Sequence, residues 1–210
     1  MNPDKILLDH GSGGKMSHNL ISEMMVPIFD NPVLSKLDDG AILDILDKKV
    51  AFSTDSFVVD PLFFPGGNIG DLAVNGTIND LAMMGASPLC LSAALIIEEG
   101  FSVEELKIIL QSMSAAARSV GVPIVTGDTK VVPKGAADKL FINTSGIGWI
   151  PEHVQLGADK AKPGDLILIS GAIAEHGMAI LSKRKGLEFD TPLSSDTAPL
   201  RHLVKRLVMV

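Results

Sequence analysis

Only one cysteine, Cys90, occurs in the 210 residues, and tyrosine is missing altogether. A lone thiol inside the apolar run PLCLSAALII leaves no disulfide framework and no paired-cysteine metal knuckle, which fits a reducing compartment. Its simplest role is that of a small buried hydrophobe. Aromatic residues make up 4% of the chain, so the core must be aliphatic, with the nine methionines as filler. Basic residues are also scarce: 18 Lys and Arg stand against 25 Asp and Glu, and the formal charge of −7 argues against a nucleic-acid surface. No basic block is available to neutralise a polyphosphate, so a phosphate ligand would have to arrive with metal ions. No apolar stretch reaches the length of a bilayer span, and MNPDKILLDHG lacks the charged, apolar and small-residue succession of a signal peptide. The resulting expectation is a cytoplasmic protein without membrane or nucleic-acid partners.

What remains is an ordinary globular composition, 46% apolar and 20% charged. After HGSGGK at 10 to 15, SHNLISEMMVPIF carries Leu20, Met24 and Ile28 at helical spacing, with Pro27 expected to end or distort the helix. AILDIL at 41 to 46 and VAFSTDSFVV at 50 to 59 predict strands joined by a turn at Lys48 and Lys49. Asp55 falls at or beyond the end of the apolar run VAF. Asn68 is a candidate N-cap for a helix to about Met84, and Ser102 with Glu105 forms a capping box for a helix through Val120. Residues 89 to 97 and 140 to 150 predict further strands, the latter with glycines that suit a bulge. VPIVTG at 122 to 127 predicts a short buried strand ending before Asp128 and Lys130. PEHVQLGADKAKPGD reads as a boundary, placing one domain at 1–155 and the start of a second at 156–210. The second part offers LILISG as a strand and two helices, too few elements for an independent core, and reads as the opening of a larger domain. The fold class expected is α+β, a mixed sheet with helices on one face and the other face free to pair.

The stretch AVNGTINDLAMMGASP at 73 to 88 places Asp80 on the same helical face as Ile69, Ala73 and Gly76, where an uncompensated carboxylate would be costly. Other acids also fall beside sharp local structure: Asp38 and Asp39 before Gly40, Asp55 in STDS, and Asp128 in TGDTK. Each alone suits a solvated or capping role. Together they point to a magnesium–phosphate site, because a hard divalent ion takes a few carboxylates and lets phosphate and water complete its shell. Without such an ion, a carboxylate and a phosphate charge about 4 Å apart repel by roughly 4 kcal/mol at an effective dielectric near 20. HGSGGK can form a nest of backbone N–H groups or serve only as a flexible turn, and its spacing is not that of a P-loop. Lys130 suits a phosphoryl-binding point charge or a surface lysine, and His176 in SGAIAEHGMA a site-lining group or a satisfied histidine at a helix start.

These segments together resemble a known family. HGSGGK, LDDGA at 37 to 41, FSTDSFVVDPLFFPGGNIGDLAVNGTINDLAMMGASP at 52 to 88 and PIVTGDTKVV at 123 to 132 are similar to the PurM-like, AIR synthase-related ATP-binding group. PLFFPGG, TGDTKVV and the SG…EHG arrangement lean toward its HypE family of hydrogenase maturation proteins. The resemblance implies ATP and Mg²⁺ as cofactors, with Asp39, Asp55, Asp80 and Asp128 as metal ligands. Nucleotide contacts would come from Gly11, Ser12, Gly13, Gly14 and Lys15, and from Asp55, Asn79, Asp80, Gly127 and Asp128. Lys130 and His176 would be catalytic. It also implies a PurM-like N-terminal domain whose sheets pair as a barrel in a homodimer, followed by the start of a PurM-like C-terminal domain. The implied partners are the carbamoyltransferase HypF and the HypC–HypD complex. The implied reaction is ATP-dependent dehydration of an S-carbamoyl cysteine at the protein's own C-terminus to a thiocyanate, a source of cyanide ligands for [NiFe]-hydrogenase. That cysteine and a second-domain catalytic acid would lie beyond Val210. Two other readings stand beside it: another PurM-like kinase or synthetase acting on a diffusible substrate, and a non-catalytic dimerising scaffold.

Overall fold

The computed structural model describes residues 5–187 and 193–208. The chain first forms helix α1 (Lys15–Leu20), a π-helical turn over Ile21–Met25 and helix α2 (Val26–Phe29). Pro27 distorts this helix rather than ending it. The wider turn just ahead of it loosens the backbone ladder where the ring removes a donor and crowds the preceding carbonyl.

Strands β1 (Ala41–Ile45) and β2 (Lys48–Phe57) make a hairpin. Its turn is Leu46–Asp47, both at positive φ (49° and 62°), not the expected Lys48–Lys49, which instead opens β2. Two consecutive left-handed residues give a tight turn whose twist matches the strands it joins. A small hairpin of β3 (Phe63–Phe64) and β4 (Gly67–Asn68) leads into α3 (Ile69–Met83). The Asn68 side chain accepts from Gly70 N at 2.8 Å while Asp71 Oδ1 accepts from Asn68 N at 2.7 Å, a reciprocal cap that fixes the helix start.

β5 (Ser87–Glu98), α4 (Val103–Val120), β6 (Ile124–Val132) and β7 (Leu140–Ile150) complete this part. Ser102 caps α4 as expected, accepting from Glu105 N at 3.3 Å. The sheet order is β1-β2-β7-β5-β6, antiparallel except for β5 and β6, whose parallel pairing needs α4 as its crossover. Helices α3 and α4 cover one face and bury Ile69, Ile78, Leu81, Ile109, Leu140 and Ile142. Thr77 and Thr144 lie in the same layer, their hydroxyls 2.6 Å apart, with Thr144 donating to Ala73 O, so both hydroxyls have partners. Gly146 does not mark a bulge. A Cβ there would come within 2.8 Å of Leu81 and Leu91 side chains, so the glycine lets α3 close on the sheet; the strand irregularity lies in β5, between Pro88 and Cys90.

The opposite face is open, with Phe52, Ile96 and Ile147 each about 40% exposed, and the sheet does not close on itself within one chain. β6 is neither short nor buried: it is an exposed edge strand, with Asp128 and Lys130 in its middle. An edge strand beside an open face has water where a central strand has neighbours. Beyond Ile150 come α5 (Glu175–Lys185) and α6 (Arg201–Val208). LILISG does not form the expected strand; Leu166 and Ile167 are 90% and 89% exposed, and no adjacent strand among the described residues takes up its backbone groups. None of the described helices is long and apolar enough to cross a membrane.

Candidate functional site

Three of the expected acids converge. Asp39 sits in the loop before β1, Asp55 within β2 as the strand expected over 50 to 59 places it, and Asp80 in the C-terminal half of α3. Alternation along β2 turns Ser53, Asp55 and Phe57 toward the helices. Gly76 allows α3 to approach there, since a Cβ on it would lie 2.7 Å from Phe57 Cζ and 3.6 Å from Asp55 Oδ2. Asp80 is thereby half-buried, and the compensation its position demands comes from Ser53, whose hydroxyl donates to Asp80 Oδ2 at 3.0 Å. One hydrogen bond is not enough. Burial pushes the Asp80 carboxyl up to about 6, against the lowering by Ser53, and repulsion from Asp55 and then Asp39 adds to the rise.

A cavity of about 710 Å³ opens beside Asp38 and Asp39, lined among others by Gly13, Ser17, Gly40, Ser53 and Thr54. This volume is in the range of small-ligand sites. Of the glycine stretch, Gly13 lines this cavity together with Asp38, Asp39 and Ser53. Gly13, at φ 76°, donates its N–H to the buried Ser17 hydroxyl at 2.9 Å, which folds Gly11, Ser12, Gly13 and Gly14 back against the start of α1 at Lys15. The first-turn amides of any helix lack intrahelical partners.

The remaining expected residues lie elsewhere. Asp128 and Lys130 pair with each other on the exposed edge strand, and the ammonium group holds the Asp128 carboxyl below its usual range. The register Asp128–Ala94–Asn143–Ser56 puts Asp128 on the open face, while Asp55 points to the helical face three strand spacings away, about 14 Å. Gly127 faces the helical side, where a Cβ would lie 1.9 Å from Ala93 O, so close backbone approach accounts for this glycine without any ligand. Both ends of the Asn79 amide are engaged: Nδ2 donates to Ala198 O at 2.9 Å and Oδ1 accepts from Leu200 N at 2.8 Å. His176 makes a 2.9 Å hydrogen bond between Nδ1 and Ser195 Oγ and stacks edge-on against Phe64. Phe64 adjoins the start of α3, and the twelve residues from Asn68 to Asp80 span about 18 Å, so His176 is not part of the acid group.

Among the described residues no three His, Cys, Asp or Glu side chains form a ready metal cage. The acid set nonetheless suits a divalent ion carried in by phosphates, because such ions keep water and phosphate oxygens as most of their ligands and a cation would relieve the repulsion that raises Asp80. Ser53 was not legible as a site residue. The available signal was its i, i+2 relation to Asp55, which puts both on one face of the strand.

The model of the AIR synthase related protein, N-terminal domain, matches residues 37–150. The carbamoyl dehydratase HypE of Bradyrhizobium diazoefficiens is 53% identical over 201 residues, covering 96% of this chain and 58% of that protein. A solved structure of HypE in complex with ATP is 54% identical with a TM-score of 0.75, over 98% of this chain and 61% of that one. A HypE–HypF complex contains a chain 54% identical with a TM-score of 0.86, over 90% of this chain and 61% of that one. The chain thus spans about three fifths of the length of these relatives.

Proposed function

The chain belongs to the AIR synthase related family, and on that footing we propose that it lies in the HypE branch and forms the nucleotide-binding part of an ATP-dependent carbamoyl dehydratase of hydrogenase maturation. The observation that carries this reading is the meeting of a loop, a strand and a helix that each bear an acid: Ser53 on β2 lies within hydrogen-bond reach of Asp39 O and Asp80 Oδ2, Asp55 and Asp39 both repel the Asp80 carboxylate, and a cavity lined by Asp39, Ser53 and Gly13 opens there. Asp39, Asp55 and Asp80 hold magnesium with the nucleotide, and Gly11 to Lys15 contact its phosphates. When bound, magnesium supplies positive charge between carboxylates and phosphates that would otherwise repel.

The reaction removes the elements of water from R–S–C(=O)–NH₂. The terminal phosphoryl group of ATP passes to the amide oxygen, which converts a poor leaving group into phosphate. Loss of both N–H protons as the C–O bond breaks gives R–S–C≡N, ADP and phosphate. Half-burial of Asp55 and Asp80 keeps part of the acid group from bulk water. His176 serves in this reading to hold Ser195 against the small hairpin, not in the chemistry.

A homodimer through the open sheet face is part of the same proposal, with the two sheets closing as a barrel over Phe52, Ile96 and Ile147. Edge-to-edge closure brings β6 of one copy beside β1 of the other, which is how Asp128 and Lys130 join the acids and meet the terminal phosphate. The proposed domains are 1–155 and 156–210. HypF is the proposed carbamoyl donor partner and HypC–HypD the acceptor, in the cytoplasm. The test is Mg²⁺-dependent binding of a fluorescent ATP analogue to the complete gene product, lost in Asp80→Asn. A folded wild-type protein that binds no nucleotide with Mg²⁺ refutes the assignment.

A further inference from the structure

We propose that Ser53 is the positioning residue that sets the spacing of the acids around the bound cation, an inference that rests on the magnesium–nucleotide reading above. Ser53 is 3% exposed and lies on β2, two residues before Asp55. Its hydroxyl oxygen is 3.0 Å from Asp80 Oδ2 and 3.1 Å from the backbone oxygen of Asp39. Three acid-bearing segments therefore meet at one oxygen atom.

A serine hydroxyl has a single proton, and here two acceptors compete for it. The proton serves one acceptor at a time, so the hydroxyl ties either the Asp80 carboxylate or the Asp39 backbone to β2 and can exchange between them. Gly40 makes the meeting sterically possible, since a Cβ on it would lie 3.0 Å from Phe52 O and 3.5 Å from Ser53 Cβ. The loop carrying Asp39 can thus rest on β2. Ser53 is the only side-chain donor to Asp80 among the described residues. Without it, a half-buried carboxylate beside Asp55 and Asp39 would turn away from them toward water, and the ion would have to draw it back.

The test uses Ser53→Ala and Ser53→Thr in the complete gene product, with Mg²⁺ titrated at a fixed concentration of a fluorescent ATP analogue. Mn²⁺ binding without nucleotide, followed by electron paramagnetic resonance, is the second readout. Ser53→Ala is expected to raise the Mg²⁺ midpoint about tenfold, equivalent to about 1.4 kcal/mol. Saturating Mg²⁺ restores analogue binding, and Ser53→Thr, which keeps the hydroxyl, returns the midpoint toward wild type. A packing role would lower thermal stability and leave the midpoint alone. A midpoint within twofold of wild type, or a loss of binding that saturating Mg²⁺ does not restore, overturns the proposal. If the wild type binds no analogue at any Mg²⁺ concentration, the nucleotide reading falls instead. The Mn²⁺ measurement then decides Ser53 by itself: equal affinity in wild type and Ser53→Ala overturns it.

Discussion

Replacing Asp80 with asparagine removes one charge from the acid group while keeping an oxygen that can accept from Ser53. The Asp80 carboxyl is raised from 3.8 to about 6, chiefly by burial. At about 1.4 kcal/mol per unit, that shift corresponds to roughly 3 kcal/mol. The group is only half-buried, so screening by water on its open side reduces the figure to about 1–2 kcal/mol. The sign follows from the direction of the shift. A carboxyl whose folded-state value lies above its unfolded one destabilises the fold when ionised, fully above pH 6 and progressively less as pH falls from 6 toward 4. Asp80→Asn should therefore melt about 2–8 °C higher than wild type at pH 7.5 without divalent ions, given about 2–4 °C per kcal/mol for a chain of this size. The gap should shrink to nothing near pH 4. Thermal unfolding of both proteins in chelator across that range measures it. An Asp80→Asn protein no more stable at pH 7.5, or a gap independent of pH, would show that the acids are not strained together.

Two further substitutions probe the surroundings of the site. Asn79→Ala removes both hydrogen bonds to Ala198 and Leu200, about 1–3 kcal/mol of local attachment, and should speed amide hydrogen exchange in residues 193–208 while leaving β2 and β7 protected; unchanged exchange there would mean that α6 is held by other contacts. Gly127→Ala places a methyl group 1.9 Å from Ala93 O, so β5 and β6 must separate, and the variant should lose several kcal/mol in chemical denaturation; wild-type stability would show that this edge yields easily.

The parts of the fold that sequence made legible are those whose signals are local. Asn68 with Asp71 and Ser102 with Glu105 are caps whose partners lie two or three residues away, and both helices begin where these residues fall. β2 and β7 alternate because one face meets α3. The surprises arise where a distant partner engages the residue. Asn79 and Asp80 are neighbours in sequence, yet a 100° step along the helix turns one toward Ala198 and Leu200 and the other toward Ser53. No local pattern distinguishes a ligand-binding amide from one that holds a chain segment. Gly127 and Gly146 present the same ambiguity. Glycine in a strand permits a bulge, a ligand or a close neighbour, and in both cases the neighbour is protein.

Asp55 and Asp128 show how far such reasoning extends within one sheet. Both sit in strands, flanked by serine, threonine or glycine, and their local sequences suit the same role. Register separates them: Asp55 lies opposite the buried Thr144 beneath α3, whereas Asp128 shares the open face of Ser56 and Asn143. An acid on the helical face is desolvated and raises its neighbours, as Asp55 does to Asp80. An acid on the open edge is held below its usual range by Lys130 and needs no cation within its own chain. The two electrostatic states are complementary in what they can offer a phosphate: an unneutralised acid group that calls for a cation, and a self-neutralised pair that brings an ammonium group without net charge. One nucleotide can use both only if a second sheet turns its edge toward the first, so the open face with Phe52 and Ile147 is where the proposed site and the proposed dimer become one question.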